Sequence, residues 1–180
     1  MENPAESASA LKYELANRVF FRLYQCANML HKTGSRAIEA EGLTTQQWAV
    51  LGALSRPAVT GGMGMGDLAR YLMVSRQNLS GLLSRMERDG HIAIVPDGRD
   101  RRARLITMTE SGRHVWQDLA LPKIHAYYEQ VLGDFSVNDM SHALHYLLKM
   151  LDRMEQIDQQ NGGGDVAGDG AGDGTSDEEA

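Results

Sequence analysis

The chain of 180 residues contains one cysteine, Cys26. It therefore has no internal disulfide, and a reducing compartment is the default. No apolar run approaches the length of a membrane-spanning helix. The opening stretch MENPAESASA carries acids and no apolar centre, so it does not read as a secretory leader. These absences point to a cytoplasmic protein without a membrane partner. Catalytic patterns are missing as well. There is no nucleophile elbow, Walker loop, dinucleotide fingerprint, paired-carboxylate motif or zinc-ligand spacing. The reading is of a non-enzyme with no catalytic residue, no metal and no cofactor. A Gly-rich run at 56–66, RPAVTGGMGMG, lacks the GxxxxGK[ST] pattern and follows no strand, so it reads as a flexible connection. Basic residues are absent from 161–180, which hold six acids from Asp165 to Glu179. That tail carries the whole net charge of −6 and leaves residues 1–160 at zero. Rich in Gly and Asp, it cannot bury a core and is expected to be disordered. Any nucleic-acid surface must then be local.

What the sequence does contain is concentrated between residues 65 and 109. Ser75 suits a helix N-cap. Leu79, Leu82, Leu83 and Met86 then fall at helical spacing, and Asp89-Gly90 supplies a stop. The face opposite this stripe carries Gln77, Gly81, Ser84 and Arg88, flanked by Asn78, Ser80 and Arg85, and Arg76 at the helix start joins the candidate DNA contacts. Gln and Asn can bond adenine bidentately, and Arg can bond guanine. Gly81 weakens a helix, which makes sense where another body must come close. A shorter helix over 67–73 precedes it, with Val74 and Ser75 as the turn, giving a helix-turn-helix unit. Two strands follow, at 91–95 and 103–108, around the loop PDGRDRR. Arg99, Arg101 and Arg102 on that hairpin suit a narrow minor groove, and Asp100 is placed to hold one of them. Residues 75–104 contain seven Arg and four acids.

Residues 65–112, with the upstream LTTQQWAVLGAL, resemble the DNA-binding core of the MarR family of bacterial regulators. The leucine-rich recognition helix, the Asp-x-Arg wing at Asp100/Arg102 and the Thr-x-x-Gly helix start at Thr109/Gly112 carry the likeness. It implies a mainly α fold with a small β-wing: a winged helix-turn-helix plus a helical dimerisation module built from both chain ends. In this organisation 1–10 is disordered, 11–42 and 110–160 are dimerisation helices, 43–109 is the winged core and 161–180 is a disordered acidic tail. The resemblance also implies a homodimer on a pseudo-palindromic double-stranded operator. A small aromatic acid or its thioester would release it, as from a repressor of aromatic breakdown.

The flanks read as long helices. Leu15, Val19, Leu23, Cys26 and Leu30 form a stripe in 11–33, on which Cys26 behaves as a small buried hydrophobe. Thiol-based redox sensing through Cys26 is the alternative the family offers. Tyr24, His31, Lys32, Arg36 and Trp48 gather rings and cations suited to an aromatic carboxylate. Thr44 or Thr45 opens the helix at 43–54. A helix over 110–132 should kink at Pro122, and Ser136 with Asp139 resembles a capping box before 137–159. His142 and His145, even with His125, lack further ligands for a metal. The near-zero charge of 1–160 favours one other reading, a winged-helix adaptor for protein contacts without DNA.

Overall fold

A computed structural model describes residues 4–98 and 103–162. The expected wing tip, residues 99–102, and most of the acidic tail, 163–180, lie outside them. The order is α1 (Pro4–Met29), a wide π turn (Leu30–Gly34), α2 (Ser35–Ala37), a tight turn (Glu39–Glu41) and α3 (Thr45–Leu54). Then come β1 (Met63–Gly64), α4 (Met65–Tyr71), α5 (Arg76–Arg88), β2 (Ile92–Pro96) and β3 (Arg104–Met108). α6 (Glu110–His114), a second π turn (Val115–Ala120), α7 (Leu121–Leu132) and α8 (Val137–Gly162) complete the chain. Among the described residues no helix is long and apolar enough to cross a membrane.

The chain divides into two compact units, Met1–Val131 and Leu132–Ala180. In the first, one core gathers Ile38, Val50 and Leu51 with Leu68, Leu83, Met86, Ile106 and Ile124, all essentially inaccessible to water. α3 is started by Thr44, whose hydroxyl accepts from the Gln47 N–H at 3.3 Å while the Gln47 side chain accepts from the Thr44 N–H at 2.9 Å. This reciprocal cap satisfies two N–H groups the helix leaves open. The sheet is antiparallel in the order β1-β3-β2, with Ile94 opposite Ile106 and Met63 opposite Ile106 on the other side.

Four sequence expectations change. The Gly-rich run is no loose linker, because it delivers β1 to β3. Gly62 has φ +108°, and a Cβ there would meet the Ile106 carbonyl oxygen at 2.6 Å. The first helix begins at Pro4, inside the stretch 1–10 expected to be disordered. Proline's fixed φ suits a first helical turn. The helix over 110–132 is interrupted before Pro122, at Val115–Ala120. There the Leu121 N–H reaches the Trp116 carbonyl, one residue further back than in an α-helix, and the wider turn precedes the proline ring. Cys26 is exposed rather than buried, since its stripe on α1 has no cover within the described chain.

In the second unit Ser136 caps α8. Its hydroxyl accepts from the Asp139 N–H at 3.1 Å, and its own N–H donates to the Asp139 carboxylate at 3.0 Å. The Ser136 hydroxyl also donates to the Asp139 carboxylate at 2.6 Å, and this bond, with that from the Ser136 N–H, holds the Asp139 carboxyl below its ordinary range. Met140, Leu144, Leu147, Leu148 and Met154 on α8 are exposed, as are His142 and His145. Among the described residues no cluster of metal-ligating side chains occurs.

Candidate nucleic-acid interface

α5 is oriented by what it buries. Leu79, Leu82, Leu83 and Met86 enter the core, so Arg76, Gln77, Asn78, Ser80, Gly81, Ser84 and Arg85 all face water. Ser75 is spent on the cap, its hydroxyl accepting from the Asn78 N–H at 3.2 Å. Nothing stands within 4 Å of the place a Gly81 Cβ would occupy, so the middle of this face is open. Ser84 donates to the Ser80 carbonyl at 3.0 Å and is exposed. Arg76 lies back toward α4, its guanidinium 3.1 Å from where a Gly66 Cβ would be.

The turn between α4 and α5 closes with two bonds, Met73 N–H to the Arg70 carbonyl at 3.2 Å and Val74 N–H to the Ala69 carbonyl at 3.1 Å. This pairing needs a left-handed residue just past the helix, and Met73 takes it at φ 54°. Arg56 stacks 4.4 Å over the neighbouring Tyr71 ring.

Two side-chain contacts fix α5 against the wing, and a third carries on into α6. The Ile94 N–H donates to the Glu87 carboxylate at 3.1 Å, so the acid on this helix is committed to the edge strand. The Thr109 hydroxyl donates to the Gly90 carbonyl at 2.6 Å and accepts from the Gly112 N–H at 2.9 Å. Gly112 lets α6 press against β2's approach, because a Cβ there would stand 1.9 Å from the His91 carbonyl oxygen. The Thr-x-x-Gly pattern thus fastens the end of α5 to the start of α6. The base of the wing closes through Asp97 N–H to the Ala103 carbonyl at 3.0 Å. Arg99, Asp100, Arg101 and Arg102 lie outside the described residues.

A cleft of about 430 Å³ opens elsewhere in the same unit, lined by Thr33, Arg36, Lys123, Tyr127 and Gln130 with two alanines. Of the five residues expected to hold a ligand, Arg36 is on this lining. His31 instead pairs with the Thr45 hydroxyl at 2.7 Å. Trp48 is half-buried against Tyr127 and Tyr128, at ring separations of 6.4 and 5.8 Å. Tyr24 and Lys32 are exposed and off the lining. Thr33 and Tyr127 share a hydroxyl bond of 2.8 Å, and burial pushes the Tyr128 phenol up. Sequence reasoning missed Lys123, Tyr127 and Gln130. Their spacing of i, i+4 and i+7 marks one helix face and was the available signal.

Residues 41–103 match the MarR family. The chain is 72% identical over 162 residues to the transcriptional activatory protein BadR of Rhodopseudomonas palustris, covering 90% of this chain and 93% of that protein. It is 30% identical over 128 residues to the homoprotocatechuate degradative operon repressor of Escherichia coli, covering 69% and 84%. Among solved structures, a MarR/EmrR family regulator from Acinetobacter superposes with a TM-score of 0.70 at 18% identity, over 79% of this chain and 98% of that one. The M. tuberculosis regulator MosR in complex with DNA gives 0.62 at 24% identity, over 74% and 96%.

Proposed function

Because this chain belongs to the MarR family, we propose that it works as a homodimeric transcriptional regulator that reads a pseudo-palindromic operator and answers to a small aromatic acid. It is a regulator and not an enzyme, as its relatives are. The observation that carries the DNA reading is the outer face of α5, wholly polar, solvent-facing and open above Gly81. Gln77, Asn78 and Arg85 have the side chains for base edges in a major groove, and Ser80 and Ser84 for bases or phosphates. Two such helices roughly one helical turn apart would occupy successive grooves. The wing arginines Arg99, Arg101 and Arg102 serve the flanking minor groove.

The effector reading rests on the cleft, where Arg36 and Lys123 supply cations beside the Tyr127 ring. The Escherichia coli relative is named for the breakdown of an aromatic acid. The sequence pointed to a repressor. The relative at 72% identity is named an activatory protein, and we take activation as the sign to test. One protein–DNA contact serves either outcome, depending on where the operator lies relative to the promoter.

Fluorescence anisotropy on DNA from the protein's own promoter decides the first part. Gln77→Ala and Arg85→Ala should each weaken binding by about 1–3 kcal/mol and relax the preference at one base position. Arg101→Ala should lower the salt dependence by about one unit of slope. Wild-type affinity in both α5 variants would sink the reading. A thermal-shift screen of aromatic acids and their thioesters tests the effector.

A further inference from the structure

Beside the cleft lies a contact that the DNA surface does not use. The Lys123 ammonium, on the lining, donates to the Glu41 carboxylate 82 positions away. The Glu41 side chain is only 8% exposed. Its second oxygen, Oε2, is buried and has no hydrogen-bond partner among the described residues. A buried carboxylate satisfied on one oxygen only is weakly held, and losing its cation leaves an uncompensated buried charge. Glu41 ends the tight turn Glu39–Glu41. Gly42, buried Leu43 and the α3 cap Thr44 follow at once. α3 in turn packs on α4 and α5.

We propose that the Glu41–Lys123 pair is the latch through which an anion in the cleft alters DNA binding. The proposal rests on the reading that the cleft takes an anionic effector. A carboxylate drawn in by Arg36 competes with Glu41 for the Lys123 ammonium. Glu41, deprived of its cation, cannot stay buried as a charge. The turn at 39–42 moves to hydrate it, and the start of α3 moves with that turn. The effector thereby favours one of two positions of the winged core, which is what a shift in DNA affinity requires. Glu41 is on this account a positioning residue, acting on DNA through α3.

The two partners then give opposite phenotypes. Lys123→Gln abandons the Glu41 charge and should lower DNA affinity about tenfold with no acid present, within the usual range of coupling between sites. Glu41→Gln buries a neutral amide that needs no cation. It should bind DNA like the wild type, lose its response to acid, and bind benzoate or 4-hydroxycinnamate several-fold tighter by calorimetry. The double variant Glu41→Gln/Lys123→Gln should regain DNA affinity, a rescue that a loss of packing at Lys123 would not give. Wild-type DNA binding by Lys123→Gln, or no rescue in the double variant, overturns the latch. If neither acid binds the wild type while the loss and its rescue are both seen, the effector reading has failed and the coupling of Glu41 to DNA stands.

Discussion

The winged core and the chain-end helices follow the same apolar periodicity to opposite ends. In the core, Leu51, Leu83 and Met86 are sealed from water. On α1, Leu15 and Val19 remain 48% exposed, and on α8, Leu144 and Leu148 remain 58% and 57% exposed. A helical stripe states that a face must be covered but does not say by what. The core closes within one chain because its helices are short and joined by tight turns, so each stripe finds the next. The long end helices carry more apolar surface than the described residues cover. Apolar patches of that kind mark association surfaces. They support the proposed dimer as the unit that holds two copies of α5 at fixed spacing.

The largest effect should come from breaking the closed region. Gly112→Ala places a methyl 1.9 Å from the His91 carbonyl oxygen and 2.8 Å from its carbon, both backbone atoms that cannot swing aside. A loss on the order of 4 kcal/mol or more is expected, the range reserved for a named steric failure, read by thermal or urea denaturation. A change below about 1 kcal/mol would show that the joint between α5 and α6 is soft. The open region should behave differently. Leu144→Glu with Leu148→Glu puts two charges on an exposed face. In a dimer interface each unpaired charge costs on the order of 3 kcal/mol, while a single chain hardly notices. Sedimentation should show a monomer, circular dichroism an unchanged helix content, and anisotropy a DNA affinity reduced by about 100-fold or more. A variant that stays dimeric would move the interface away from α8.

The same contrast explains what could be read from sequence. α5 was legible almost residue by residue, since Ser75, the leucine stripe and Gly90 act within a turn or two of themselves. The Gly-rich run carries no strand signal, because β1 has two residues, too few for an alternation. Gly62 is required by the Ile106 carbonyl, 44 positions further on. Pro122 announced a disturbance, but the π turn lies ahead of it, at residues 115–120. The cleft was the least legible part. Arg36 was found from local company, whereas Lys123, Tyr127 and Gln130 arrive from a helix that sequence assigned wholly to dimerisation. The Glu41–Lys123 pair likewise joins residues with no shared local pattern.

The smallest expected effect probes a flaw inside the closed region. Met73 holds a left-handed conformation at φ 54° and is 51% exposed. A residue with a Cβ is penalised there by about 1–2 kcal/mol. Glycine removes that penalty and returns about half of it through a freer unfolded chain. Met73→Gly should therefore stabilise by about 0.5 kcal/mol, a rise of 1–2 °C or so in Tm, with DNA affinity unchanged. Met73→Ala, which keeps the Cβ, should stay near the wild type. The pair separates backbone from side chain. If glycine instead lowers Tm by several degrees, the thioether is packed against something in the working assembly. Met73 would then belong with Leu144 and Leu148, among the groups that a single chain leaves uncovered.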